Sequence, residues 1–499
     1  MKKDIVVIGG GLGGLTYAAI AASKGYSVTL LEQYARVGGY ATTWHRSGVH
    51  IEGALHEIDD LSKDSFKAQI LKELGIYDKL EIVDASKNYR VITNSGDYSV
   101  PHSKDGFEKM LIELFPEEKE SIKKYFKTIT DIKNEVYEVS SLKGFAKLKL
   151  LLFPILYKNL AKYDKTSVAE LMNELFSSEE LKLLVLHKLG YYSDNPNSLG
   201  AIFFSIAECS YSEGGGWFIK GGSQKLSNAL KDAIEAHGGE VITNAEVITI
   251  LTKDNRASGV KYRKKDKFQT LEADMVINNA SPLWAVDALE NKSSLDKETF
   301  ELYKNAKIGP SSFGVYMVVD GAKAPEGRAY STFVYSEAKS MDNLSSSSYS
   351  EFESRDMEIA DYGAIDSGLS DKNRRLVSLF VTDRYEEWCE LSEVAYKEKK
   401  ERCAQILLKR VEKLYPDIID SLISYEAATP MTMERYTKAT KGAIYGFSQT
   451  PLQSGRHREK FSRLLPNLIN ISGWGEIGGG FSAVIQDAVN KASLLKSNN

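Results

Sequence analysis

Apolar positions follow two rhythms along the chain, and their alternation predicts an α/β protein. Ile5-Val6-Val7-Ile8 is a short β-branched run ended by glycine, as expected of a parallel strand buried on both faces. A helix from about Leu12 to Ser23 and a second strand, Ser27 to Leu31, follow. Between about 60 and 200 the spacing turns helical, as in Phe107 to Leu114 and Val168 to Leu175, which predicts a helical insertion and not more sheet. From about 205 glycine-punctuated α/β pattern returns. A helix from Ser223 to His237 sets Leu226, Leu230 and Ile234 on one face, and Gly238-Gly239 ends it. Strands are expected over Glu240 to Ile250 and Ala257 to Arg263, with a turn at Asp254-Asn255, and then through Asp274 to Ala280. Residues 311–320 and 375–382 predict strands of another sheet, and Ser345 to Ser350 between them predicts a solvated loop. The tail reads as a strand from Asn467, a glycine turn, then a helix to Leu495.

Composition narrows the class only a little. A chain of 499 residues is too long for one compact core, so two or three domains are expected. A formal net charge of -4 gives no general attraction to nucleic acid, and no such partner is expected. Cys209, Cys389 and Cys403 have no paired spacing, which fits small apolar fillers in a reducing cytoplasm. The apolar run behind Lys2-Lys3 is too short for a signal peptide, and no stretch reaches the ~18 apolar residues needed to cross a bilayer. The expected location is cytoplasmic, with peripheral membrane contact at most. One segment bears on that contact: Leu142 to Lys158 interleaves lysines with large apolar residues around Pro154. A basic amphipathic surface segment and a core helix with snorkelling lysines both fit it.

The chemistry begins at Gly9-Gly10-Gly11-Leu12-Gly13-Gly14, between the first strand and its helix. Gly9 permits a tight turn, Gly11 lets backbone approach a pyrophosphate, and Gly14 lets helix and strand pack closely. The helix aims its free N–H groups and positive dipole end at phosphate. Three fixed glycines alone are a weak signal, but here a strand precedes them and Glu32 ends the next strand, where a dinucleotide's ribose hydroxyls are held. At the far end, Gly473-Trp474-Gly475-Glu476-Ile477-Gly478-Gly479-Gly480-Phe481 places a helix N-terminus behind flexible glycines, a donor set for an electron-rich acceptor.

Arg36-Val37-Gly38-Gly39-Tyr40-Ala41-Thr42-Thr43, soon after Glu32, resembles the second glycine pair of the two-dinucleotide-binding-domain flavoproteins. Further markers fall in order along nearly the whole chain: Gly53-Ala54-Leu55-His56, Lys220-Gly221-Gly222-Ser223, Glu246-Val247, Thr429-Pro430, Arg435-Tyr436, Gly442 to Gly446, and the tail. Together they resemble the phytoene desaturase group, and within it the carotenoid isomerase and retinol saturase branch. The resemblance implies a Rossmann-like FAD-binding domain with an inserted α+β substrate domain. The FAD domain would comprise residues 1–60, 205–300 and 450–499, the helical part of the substrate domain 61–204, and the rest of it 301–449. It implies that Gly9, Gly11, Leu12, Gly13 and Gly14 hold pyrophosphate and Glu32 the adenosine ribose. Gly38, Gly39, Ala41 and Thr42 would pass close to the cofactor, with Arg36 assisting. Val247 would meet adenine through its backbone, and Gly473, Gly480 and Phe481 would lie along the ribityl chain and isoalloxazine. The chain departs from the family at Ile477, where proline is common, and at Gln486-Asp487, where a small residue is common.

The resemblance further implies FAD-dependent desaturation, saturation or cis-trans isomerisation of a hydrophobic polyene or other lipid. Such substrates call for an apolar tunnel with few polar groups. No catalytic triad or metal-ligand spacing stands out. His56 is the one proton-handling candidate, the alternative being a structural hydrogen-bonded histidine. No second nucleotide fingerprint is visible, so NAD(P)H or a quinone would exchange electrons near the flavin. Two rivals share the fold. A flavin amine oxidase would need an aromatic cage, for which Trp474 and Tyr445 are candidates, and a non-redox prenyl-lipid carrier would need no flavin.

Overall fold

The computed structural model describes residues 4–142, 144–323, 327–335, 338–371 and 373–497. Its central element is a six-stranded sheet gathered from distant parts of the chain. The order is Glu240–Ile242, Ser27–Leu31, Asp4–Ile8, Met275–Asn278, Leu468–Asn470 and Arg463–Leu465. All neighbours are parallel except the last pair. Ile5 to Ile8 are each buried to 4% exposure or less, which is why this strand is apolar without alternation. Helices Leu12–Ser23, Gln224–Ala236 and Phe481–Ser493 pack together on one side. Buried alanines 18, 19, 21 and 22 keep the first of them thin enough for that. Across the sheet, Val6, Ile8 and Val276 pack on Val247, Ile250 and Val260 of a three-stranded antiparallel layer, Glu246–Lys253, Arg256–Lys264 and Lys267–Glu272.

A seven-stranded sheet faces this unit. Its order is Leu422–Ala428, Ser311–Asp320, Arg374–Asp383, Met357–Asp361, Ser331–Val334, Tyr89–Ile92 and Asp97–Val100. The helix Glu393–Leu414 covers its back through Leu407, Leu408 and Val411. Helices including Lys119–Ser141 and Ala201–Gly214 form a separate core beside it.

Three expectations are corrected. The run Glu240 to Ile250 is two strands, because Asn244 adopts φ +53° and turns the chain from one sheet into the other. The 61–204 stretch is not wholly helical: Tyr89–Ile92 pairs in parallel with Ser331–Val334, and Asp97–Val100 extends the edge. Ser345 to Ser350 is not a solvated loop. Leu344–Ser347 is helical, Ser347 and Ser348 are buried, and the Ser347 hydroxyl donates to Asp356. Among the described residues, no helix is long and apolar enough to cross a membrane. The three cysteines are unpaired, two of them buried.

Candidate functional site

Fifteen of the sixteen candidate residues line one cavity of about 1800 Å³: Gly9, Gly11, Leu12, Gly13, Glu32, Arg36, Gly38, Gly39, Ala41, Thr42, His56, Val247, Gly473, Gly480 and Phe481. Only Gly14 stands behind it. A Cβ there would lie 2.2 Å from the Gly9 carbonyl oxygen, so glycine is what lets the first helix sit against its strand. The volume exceeds the roughly 300–1,000 Å³ of a pocket for one small ligand.

At one end, the backbone of the two glycine loops is knitted together. The Gly38 N–H donates to the Gly10 carbonyl at 2.7 Å, and Ala41 N–H returns to Gly38 at 2.9 Å. Asn279, at the end of the Met275–Asn278 strand, donates to the Gly9 carbonyl at 3.2 Å. Its Oδ1 is buried with no hydrogen-bond partner among the described residues, and the first two atoms a Cβ on Gly11 or Gly13 would meet include this amide at 2.8 Å. A polar ligand laid over bare glycine backbone is what such an arrangement accepts. Glu32 is 7% exposed and accepts from the N–H of Gly10 at 2.7 Å and of Tyr34 at 2.9 Å. Burial pushes its carboxyl above the usual range, while those N–H bonds pull the other way. Arg36 is exposed and reaches the Thr43 carbonyl at 3.5 Å, and Val247 contributes a buried wall in its strand. The Thr42 hydroxyl donates to Gln224 at 2.9 Å, which ties this loop to the helix Gln224–Ala236.

In the tail, Gly480 has φ +97° and caps the helix Phe481–Ser493, and nothing lies within 4 Å of a Cβ built on it. The helix N-terminus therefore faces open space in the cavity. Two residues hold this loop that the sequence reading did not assign. Arg458 is fully buried and donates to the carbonyls of Gly473, Gly475, Gln453 and Phe447 at 2.6–3.2 Å. Burial pulls its guanidinium down to about 10. Asp487, noticed only as a departure from the family, is also fully buried and accepts from the N–H of Glu476 at 3.1 Å and of Ile477 at 3.3 Å. Burial pushes it up to about 7. Neither role has a local sequence signal, since both depend on how the tail folds back on itself over 5 to 17 residues.

The other end of the cavity is aromatic. Trp44 meets Tyr316 edge to face at 5.2 Å, Tyr316 meets Phe380 at 5.6 Å, and Tyr191 touches Tyr211 and Phe333 at 5.7 and 5.6 Å. His56 joins this wall, 5.0 Å from Phe380. Glu52 positions its loop: fully buried, it accepts from the Ser223 hydroxyl at 2.6 Å and the Leu55 N–H at 3.2 Å. His56 Nδ1 lies 2.7 Å from Glu358 Oε1, and its Nε2 is buried with no partner among the described residues. Burial pulls the imidazole down, but the bonded Glu358 carboxylate, with Glu57 and Glu52 behind it, outweighs that and raises it overall. Glu358 lies 302 positions further on and was not foreseen. Trp474 and Tyr445 both line the cavity, yet no ring contact joins them among the described residues: Trp474 packs on Phe447 at 5.0 Å instead. No cluster of His, Cys, Asp or Glu suited to a metal occurs among the described residues.

The chain is 25% identical to the all-trans-retinol 13,14-reductase of Danio rerio, over 89% of this chain and 77% of the relative. It is 26% identical to the chloroplastic prolycopene isomerase of Daucus carota, over 89% and 72%. Among solved structures, the cyclohexylamine oxidase of Brevibacterium oxydans superposes with a TM-score of 0.63 over 99% of both chains at 15% identity, which speaks for the fold alone. The family profile described as flavin containing amine oxidoreductase matches residues 12–471. With nearly its whole length matched, the chain belongs to the flavin containing amine oxidoreductase family, and it is a flavin-dependent oxidoreductase.

Proposed function

We propose that this chain is an FAD-dependent oxidoreductase acting on C=C bonds of a hydrophobic polyene of retinoid or carotenoid type, by saturation, desaturation or cis-trans isomerisation. The observation that carries the reading is the single cavity, polar and glycine-built at one end and aromatic at the other. The names of the relatives, a retinol reductase and a prolycopene isomerase, favour the same chemistry. FAD is the flavin that fits, because Glu32 and the Gly9 loop answer to a second nucleotide half that a mononucleotide lacks.

In this reading the backbone of Gly9, Gly11, Leu12 and Gly13 binds pyrophosphate, with Gly14 holding the helix close behind them. Glu32 binds ribose, Val247 borders adenine, and Arg36, Gly38, Gly39, Ala41 and Thr42 close the cradle. Gly473, Gly480 and Phe481 border the flavin ring. FAD, when bound, supplies hydride exchange. The aromatic wall excludes water and aligns an extended apolar chain. His56, oriented at Nδ1 by Glu358, handles a proton at Nε2. NAD(P)H or a quinone would serve as the redox partner through the same cavity.

The test is to purify the protein, record its visible spectrum, and identify the extracted cofactor. Anaerobic incubation of the protein, once oxidised and once reduced with dithionite, with retinol, with cis-lycopene and with a benzylic amine then separates the readings. FAD and turnover of a polyene are expected. A colourless protein that rejects added FAD defeats the cofactor assignment, and bleaching of the flavin by the amine, with peroxide released once air is admitted, defeats the substrate assignment.

A further inference from the structure

From Val139 to Tyr163 the chain has no aspartate or glutamate and carries five lysines, in a protein of formal net charge -4. Lys143 lies outside the described residues. The remainder forms a 3-10 helix, Gly144–Leu152, a helical turn, Phe153–Leu156, opened by Pro154, and a short helix, Lys158–Tyr163. The core-helix reading fails here because the aliphatic side chains point outward. Leu148 is 61% exposed, Leu151 80% and Ile155 73%, with Leu150, Leu152 and Leu156 beside them at 41–53%. Three residues per turn put Leu148 and Leu151 in one row.

The segment is pinned, not loose. Tyr157 is 1% exposed and donates to Glu138 at 3.2 Å, and Lys149 donates to the same carboxylate at 2.8 Å. Glu135 accepts from the Leu160 N–H at 2.9 Å. Both flanks are thus fastened to the helix Lys119–Ser141, and the aliphatic row is left projecting. Soluble monomers seldom display such a patch without a partner.

We propose that this protrusion docks the protein on an anionic lipid bilayer. The leucines from 148 to 152 and Ile155 enter the boundary between headgroups and acyl chains, and Lys147 and Lys158 meet the headgroups. Charge selects the bilayer over a second copy of the chain. Lys147 and Lys158 make no ion pair among the described residues, and a self-contact would set these like charges against each other. The elements are too short to span, so the contact is one-sided. No residue from 144 to 156 lines the cavity, so the docking does not depend on which substrate the cavity takes.

The test is flotation of the full, flavin-loaded chain with phosphatidylcholine vesicles and with vesicles containing about one-third phosphatidylserine. Binding to the anionic vesicles, weakened by salt, is expected. Lys147→Gln with Lys158→Gln should weaken it roughly 25-fold, at about fivefold per lysine. Leu151→Ser with Ile155→Ser should weaken it by roughly a hundredfold, with flavin content and spectrum unchanged. Equal partitioning of the wild type and the Leu151/Ile155 variant overturns the proposal. So does a dimer in solution, seen by light scattering, that the same variant dissociates. Failure of polyene turnover leaves this inference standing, because the flotation readout does not involve the substrate.

Discussion

Asp487 makes a quantitative prediction about how stability varies with pH. It is fully buried in the helix Phe481–Ser493, its Oδ1 receives two N–H groups from the glycine loop, and its Oδ2 has no partner among the described residues. Burial pushes it from the ordinary 3.8 up to about 7. The folded protein therefore holds this proton across a pH range in which the unfolded chain has released it. Stability from this group is complete below about pH 4 and is lost as pH rises through about 7. At about 1.4 kcal/mol per tenfold change in affinity for the proton, the whole loss is about 4 kcal/mol. Asp487→Asn keeps an oxygen for both N–H groups and removes the charge. Arg458 loses a counter-charge in exchange, which reduces the gain. The assay is urea unfolding of both proteins at a series of pH values from 4.5 to 8.5 (about the range over which the proton is released). Other carboxylates cancel when the two curves are subtracted. The wild type should fall relative to the variant by a few kcal/mol with rising pH. A flat difference refutes the account of Asp487 as a buried carboxyl that resists ionisation.

Three other perturbations follow from the same geometry. Gly14→Ala sets a methyl 2.2 Å from the Gly9 oxygen, so the helix must move by about 1 Å at an overpacking cost of about 1–3 kcal/mol; flavin retained on purification should drop at least tenfold, and stoichiometric flavin at an unchanged Tm would contradict this. Arg458→Met leaves four carbonyls without their donor, at about 1–3 kcal/mol for each that stays dry; thermal unfolding should shift down by many degrees, and an unshifted Tm counts against the role given to Arg458. Glu358→Gln removes the carboxylate that raises His56, so the loss of turnover with rising pH should begin at lower pH; an unmoved profile excludes His56 as the group that must be protonated.

The dinucleotide end was legible in the sequence because its chemistry is made of backbone. A glycine loop between strand and helix offers its own N–H groups, so the residues that fold it are also those proposed to bind, and Gly9 to Gly14 can be read locally. Strand Ser27–Leu31 and helix Leu12–Ser23 fell where the periodicity set them for the same reason. The strand pair Tyr89–Ile92 and Asp97–Val100 was missed although Tyr89 and Val91 flank the polar Arg90, because a few residues of period two are outweighed by long helical neighbours. The partners of His56 and of the tail loop were not legible at all. His56 meets Glu358 across 302 residues, and Arg458 meets Gly473 only after the edge strands Arg463–Leu465 and Leu468–Asn470 have brought the chain back. Such pairs are fixed by topology, and topology is what a local pattern does not carry.

That contrast bears on how function is divided in this molecule. The cofactor end is assembled from glycines whose substitution meets backbone, as at Gly14 against Gly9, so it admits few alternatives. The aromatic end is built from side chains, with Phe333 and Phe380 on strands of the seven-stranded sheet and Tyr191 on the short helix Leu189–Tyr191 beside it. One fold can carry different chemistries, and this chain matches an amine oxidase in shape and a retinol reductase in sequence. His56, bonded to Glu358, is the histidine on that wall, and its replacement is where a difference of reaction should be sought.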